Sequence, residues 1–161
     1  CAPWKADRQG AGRGQSPVSP AFLSHQHRRS PLGRTLDAVR PHRVQILLWD
    51  HLAGTDLRQY VPDPARGSIH SYGMALDVTL VDAQGRELDM GTGYDAMTEL
   101  SHPRLEAEHL VAGKLTPVHV RNRDLLRGVL VPSGFEGIDN EWWHFDMLDR
   151  QHVRQHFTRV E

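Results

Sequence analysis

The sequence is nearly devoid of cysteine. Cys1 is the single cysteine among 161 residues, so no disulfide can form within the chain. A metal site built from this chain must therefore rely on imidazole and carboxylate ligands instead of thiolates. Histidine is well represented, with eleven copies, so ligands of this kind are available.

Long apolar runs and an excess of one charge are also missing. The longest apolar candidate, 44–49, contains Gln45 and is far shorter than the ~18 residues that suggest a membrane span. Nineteen basic residues face twenty acidic ones, so the formal net charge is −1. A near-neutral chain has no overall attraction to nucleic acid or to an anionic membrane. We therefore expect no transmembrane segment and no nucleic-acid partner.

The composition is that of one folded domain with an irregular start. Apolar residues make up 39% of the chain, and the length suits a single core. Residues 1–35 are rich in Gly, Pro, Arg and Ser without a sustained period, which predicts an irregular N-terminal arm. The remainder, 36–161, is predicted to be the domain.

The first residue is Cys1 and not methionine. One interpretation is a lipoprotein whose signal peptide was removed before a lipidated cysteine. It predicts a lipid anchor at Cys1 and a location in the cell envelope or periplasm more than in the cytoplasm. The other interpretation is a trimmed fragment, and the sequence leaves both open.

The residue pattern predicts helices around a small antiparallel sheet. Apolar residues recur at helical spacing over 42–52 and 121–131. Ala75–Val81 is predicted to be a strand, with 87–90 returning after a turn as its hairpin partner. A last strand is expected around 141–148. A helix followed by antiparallel strands is typical of an α+β domain.

Two short segments contain the residue types of a hydrolytic zinc site: SIHSYGMALD at 68–77 and EWWH at 141–144. A catalytic zinc ion takes three protein ligands, through imidazole nitrogen or carboxylate oxygen, and keeps one position open for water. A nearby carboxylate can then take the proton of that water. The segments offer His70, Asp77 and His144 as ligands and Glu141 as the base.

The spacing between Glu141 and His144 in the second segment limits whether their side chains can meet at one site. Glu141 and His144 are three positions apart, which puts their side chains on opposite faces of a regular strand. They converge only if Glu141 lies at the strand entry, in the turn after 137–140. On the residues alone, both histidines can also be structural, and Asp77 can be an ordinary turn or cap residue.

The pattern Ser-x-His-x-x-Gly-x-Ala-x-Asp followed by Glu-x-Trp-His resembles the D-alanyl-D-alanine dipeptidases of the VanX type. LDAVRP at 36–41 is similar to the family's Asp-x-Tyr-Arg-Pro, and ELDMGTGYD at 87–95 to its Met-Gly-x-x-Phe-Asp. The pairs SH at 101–102, NR at 122–123 and GF at 134–135 follow in the family's order. The resemblance implies the small α+β fold shared with Hedgehog signalling domains, in which an antiparallel sheet flanked by helices carries the zinc.

The resemblance also implies roles for single residues. One zinc ion would be held by His70, Asp77 and His144, with Glu141 as the general base that activates the zinc-bound water.

Three further roles concern the substrate. Arg40 would polarise the scissile carbonyl or steady the oxyanion, Asp95 would receive the substrate's ammonium, and Ser68 would bind near its carboxylate. Each also has an ordinary alternative, namely a surface arginine, a cap residue and a local turn hydrogen bond.

The implied function is zinc-dependent hydrolysis of D-Ala-D-Ala or a similar D,D-dipeptide from the cell wall. Val39 stands where the family usually has an aromatic, and the stretch between Arg40 and His70 is short for the family. A wider cleft would admit peptidoglycan stem peptides, so a D,D-carboxypeptidase or endopeptidase is the alternative. A non-catalytic zinc-stabilised binding module is a third hypothesis, but such a module has no chemical need for Glu141 and Arg40.

Overall fold

The computed structural model describes residues 31–161. Cys1 and the predicted arm up to residue 30 lie outside the described residues, and with them the predicted lipid anchor. The first strand, β1, spans Leu32–Asp37, so residues 32–35 belong to the sheet and not to an irregular arm. The division into arm and domain otherwise stays a prediction.

Within residues 31–161, four antiparallel strands form the sheet, in the order β1-β2-β4-β3. β2 spans Ala75–Val81, β3 Glu136–Gly137 and β4 His144–Asp146. β2 is the longest strand of the described part of the chain. It pairs with β1 on one edge and β4 on the other and is buried along nearly its whole length, with residues in both apolar clusters. Its predicted bounds are confirmed, since a run of β-branched and apolar residues suits a strand that is covered on both sides.

Helices surround this sheet, so the predicted α+β class is confirmed. They are α1, His42–His51; α2, Glu106–Val111; α3, Pro117–Leu130; and α4, Arg150–His156. α1 agrees with the predicted 42–52, whereas α3 begins before the predicted residue 121. Its start is set by a capping box, in which Thr116 Oγ1 accepts from the backbone N–H of His119. Within residues 31–161, no helix combines the length and apolarity that crossing a membrane requires.

Two predictions about strands are wrong. The segment 87–90 forms a single bridge between Val81 and Glu87 and not a returning strand. The turn itself is present, since the Asp82 carboxylate accepts from the backbone of Gln84 and Arg86. The element order also begins with a strand, because β1 precedes α1. β1 is a largely exposed edge strand without apolar alternation, so its sequence carries no strand signal.

The core lies between β2, β4 and α3. Its buried apolar members are Val78, Leu80, Met90, Leu126, Trp142, Trp143 and Phe145. Trp142 and Trp143 immediately precede His144, and both are almost fully buried. The start of β4 is therefore held rigidly by its own aromatic residues.

Arg123 on α3 is a buried cation that anchors the loop 90–100. It is fully buried and donates to the carbonyls of Met90 (2.8 Å) and Leu100 (2.9 Å) and to Glu106 Oε1 (3.0 Å). Replacing Arg123 with methionine leaves buried acceptors without a donor. We expect Arg123→Met to lower the free energy of unfolding by about 3–5 kcal/mol, measured by urea denaturation.

Arg127 provides the control for this prediction. It pairs with the same Glu106, at 2.8 Å, but its side chain is partly exposed and has no hydrogen bond to the loop carbonyls within the described residues. Arg127→Met is expected to cost about 1 kcal/mol or less. Equal losses of stability in the two variants would contradict a special role of Arg123 in the fold.

Candidate metal centre

Three segments bring His70, Asp77 and His144 together. Asp77 and His144 are directly opposed partners in the antiparallel pair of β2 and β4. His70 lies on a short 3₁₀ helix, Ile69–Tyr72, just before β2. Gly73 ends this helix with a φ of 67°, a left-handed conformation that glycine adopts without strain, and the chain turns there towards β2. All three candidate ligands are buried.

The three candidate ligand atoms form a nearly equilateral triangle. His70 Nε2 is 3.1 Å from His144 Nδ1, His144 Nδ1 is 3.0 Å from Asp77 Oδ1, and His70 Nε2 is 3.3 Å from Asp77 Oδ1. Ligands at the corners of a zinc tetrahedron with bonds of 2.0–2.1 Å lie about 3.3 Å apart. The spacing of the side chains therefore fits a zinc ion.

Outer partners set which ring nitrogen of each histidine faces the cluster. His70 Nδ1 lies 2.9 Å from the carbonyl of Ala38, and His144 Nε2 lies 2.9 Å from Asp146 Oδ1. Each of these acceptors takes a ring N–H, so His70 Nε2 and His144 Nδ1 are the nitrogens that face the cluster. Once the proton that His144 holds next to Asp77 is displaced, two imidazole nitrogens and a carboxylate oxygen are left converging on one point, which is the arrangement that metal ligands adopt.

The electrostatics of the cluster also favour positive charge. Burial opposes the charged form of Asp77, yet hydrogen bonds from His144 and His70 hold its pKa below the ordinary value. Burial likewise opposes the charged form of His144, but Asp146 and Asp77 raise its pKa to about 9. A buried site that holds an extra proton this firmly can hold a cation in its place.

Glu141 stands beside the cluster. It precedes β4, which spans His144–Asp146 and is shorter than the predicted 141–148, so Glu141 lies at the strand entry, as its convergence with His144 requires. Its Oε2 lies 4.0 Å from His144 Nδ1. Burial raises the pKa of Glu141 to about 7, with Asp77 adding to the increase and His144 opposing it. A carboxyl group that titrates near neutral pH suits a general base.

Arg40 lies at the rim of the cluster and is rigidly held. Its Nε and Nη2 donate to Asp37 Oδ2, at 2.9 and 2.6 Å, and its Nη1 donates to Gln45 Oε1 at 3.3 Å. Nη2 also lies 3.9 Å from Asp77 Oδ2. Asp37 belongs to β1 and the fully buried Gln45 to α1, so two elements orient the guanidinium towards the site.

A comparison with known proteins agrees with this geometry. The family described as D-ala-D-ala dipeptidase matches residues 33–161. The chain belongs to this family of metallopeptidases. The predicted resemblance to the VanX-type dipeptidases is thereby confirmed.

Individual proteins similar to this chain are named D-alanyl-D-alanine dipeptidase. The D-alanyl-D-alanine dipeptidase of Escherichia coli is 44% identical over 111 residues, which cover 69% of this chain and 52% of the relative. That of Enterococcus faecalis is 34% identical over 95 residues, covering 58% and 44%, and that of Enterococcus faecium 36% over 94 residues, covering 58% and 43%. The chain thus spans about half the length of the curated relatives that it matches.

The two residues predicted to bind the ends of the substrate lie in different surroundings. Asp95 is exposed in the loop 90–100 and adopts a φ of 57°, which aspartate tolerates better than most residues. Partial desolvation of its carboxyl beside the cluster and the charge of Asp77 raise its pKa, while Arg40 lowers it, so it lies within the field of the metal cluster. Ser68 is buried and precedes the helix that carries His70. Their roles towards substrate stay predictions.

Sequence reasoning missed several side chains of the candidate site. Asp37 and Gln45, which hold Arg40, were not assigned, although Asp37 lies in the matched 36–41 segment. Asp146, which fixes the His144 ring, follows it by two positions on β4, and this spacing places both on one face. The spacing of two residues between His144 and Asp146 was the sequence signal from which Asp146 could have been found.

Proposed function

We propose that this chain hydrolyses D-Ala-D-Ala or a similar D,D-dipeptide with the help of one zinc ion held by His70, Asp77 and His144. The observation that carries the proposal is the buried triangle of ligand atoms, 3.0–3.3 Å on each side, with Glu141 beside it. The substrate class is supported by the relatives, which are named D-alanyl-D-alanine dipeptidases.

Glu141 is the proposed general base. A zinc ion at this site would bring the pKa of a bound water towards about 7 and polarise the scissile carbonyl. Glu141 accepts a proton from the attacking water and returns it to the nitrogen of the leaving D-alanine as the peptide bond breaks. In the metal-free protein burial raises the pKa of Glu141, a direction that favours a carboxyl able both to take a proton and to return it.

Arg40 is proposed to stabilise the oxygen of the scissile carbonyl as negative charge develops on it. A guanidinium stays charged at all physiological pH values, and this one is fixed by Asp37 and Gln45 before substrate arrives. Preorganised donors of this kind stabilise a transition state without reorganisation during the reaction. Binding of the ammonium by Asp95 and of the carboxylate near Ser68 would select a free dipeptide.

The experiment is hydrolysis of D-Ala-D-Ala by the purified protein, following free D-alanine with and without a zinc chelator. We expect release that the chelator abolishes and added zinc restores. No release from a folded, zinc-loaded sample would overturn the proposal.

Two further substrates separate the dipeptidase from its alternatives. N-acetyl-D-Ala-D-Ala lacks the ammonium that Asp95 is proposed to bind, so it should be hydrolysed more slowly than the free dipeptide. A pentapeptide stem that is cleaved faster than D-Ala-D-Ala would indicate a carboxypeptidase or endopeptidase. Zinc binding without turnover of any of the three would indicate a binding module.

A further inference from the structure

Tyr94 contacts the metal cluster but has no part in the proposed reaction. Its hydroxyl donates a hydrogen bond of 3.2 Å to Oδ2 of Asp77. The other oxygen, Oδ1, is the one that approaches His144 Nδ1 and His70 Nε2. The two oxygens of one carboxylate therefore have separate partners, the histidine cluster and the phenol.

Packing holds the phenol in this position. The ring of Tyr94 meets that of Trp143 edge-on, with centroids 5.7 Å apart and an interplanar angle of 75°. Trp143 is almost fully buried and directly precedes His144. The ring is thus fixed against the strand that carries one ligand while its hydroxyl reaches another ligand. A phenol has an ordinary pKa near 10, so it is a hydrogen-bond donor at neutral pH.

We infer that Tyr94 is a positioning residue for the metal centre and that it keeps Asp77 a ligand through a single oxygen. This inference rests on the zinc site of the proposed function. A catalytic zinc ion needs its fourth position free for water, and a second oxygen from Asp77 would compete for that position. Engaging Oδ2 in a hydrogen bond turns it away from the cluster.

Tyr94 is better placed for this role than the neighbouring cation. Arg40 Nη2 lies 3.9 Å from Asp77 Oδ2, a distance for an ion pair but too long for a hydrogen bond. Within residues 31–161, no other side chain hydrogen bonds to this oxygen. Among the described residues, the side-chain hydrogen bond that holds Oδ2 therefore comes from Tyr94 alone.

The test is Tyr94→Phe, which removes one oxygen and leaves the ring against Trp143. The related motif quoted above has phenylalanine at this position, so we expect the variant to fold. The dissociation constant for zinc, measured by competition with a chelator, should rise about tenfold. The visible spectrum of the cobalt-substituted protein should also change, because Asp77 can then bind through both oxygens.

Tyr60→Phe is the matched control. It removes the same oxygen from a ring that packs near His102, with centroids 6.3 Å apart, outside the cluster. Its zinc affinity and cobalt spectrum should equal those of the wild type. An unchanged zinc affinity in Tyr94→Phe, or an equal loss in Tyr60→Phe, would overturn the inference.

Zinc binding is measured without substrate, so the two proposals can fail separately. A wild-type protein that binds zinc but hydrolyses no dipeptide would overturn the proposed function, while a tenfold effect of Tyr94→Phe on zinc would still support the inference. A wild-type protein that binds no zinc would overturn both.

Discussion

Replacing Glu141 with glutamine is expected to lower kcat for D-Ala-D-Ala by about 10²–10⁴-fold while one zinc ion stays bound. Glutamine has nearly the same shape but cannot accept a proton from water. Glu141 is not one of the candidate ligands, which are His70, Asp77 and His144. The affinity for zinc should therefore change little. Turnover and zinc stoichiometry are measured on the same preparation.

Glu136→Gln is the control for Glu141→Gln. Glu136 lies on the exposed edge strand β3, and its replacement changes the net charge by the same amount. We expect wild-type kcat for this variant. A Glu141→Gln protein that keeps most of its activity would rule out Glu141 as the general base, whereas one that loses zinc would show that the residue acts on the metal site instead.

How well each element could be predicted depends on how much of its stability is local. α1 and β2 were predicted almost to the residue, because their apolar spacing or β-branched run matches the structure they adopt. β1 was missed because it is polar and exposed and pairs with β2 through backbone hydrogen bonds that no side-chain pattern records. Thr116 and Pro117 mark the start of α3, and this cap signal is stronger than the apolar pattern, which begins only at residue 121.

The candidate site likewise has features that local sequence motifs predict and features that depend on tertiary pairing. The candidate ligands were identified from linked motifs, but their convergence was not predictable from spacing. His144 and Asp77 are 67 positions apart, and they meet only because β2 and β4 pair in one particular register. The contact between Tyr94 and Asp77 depends on the path of the loop 90–100, which Arg123 anchors from α3. No local sequence pattern encodes such a path.

Replacing His144 with alanine is expected to abolish both zinc binding and hydrolysis. His144 Nδ1 is one corner of the ligand triangle, and alanine offers no donor in its place. Loss of an outer partner of a ligand typically costs 10–100-fold in metal affinity, and we expect the loss of a ligand to cost more than about 100-fold. Zinc content after dialysis and D-alanine release are the two measurements. An alanine variant that keeps its zinc would mean that His144 is not a ligand.

The pH dependence of zinc binding is a second test of His144 as a zinc ligand. In the metal-free protein, Asp146 and Asp77 raise the pKa of His144 to about 9 against the effect of burial. Zinc must displace this proton, so zinc affinity should rise by about tenfold per pH unit between pH 7 and 9 and level off above the pKa of His144. Asp77 is already ionised in this range, because its pKa is lowered, and adds no slope. A zinc affinity that is constant from pH 7 to 9 would show that the proton on His144 does not compete with the metal.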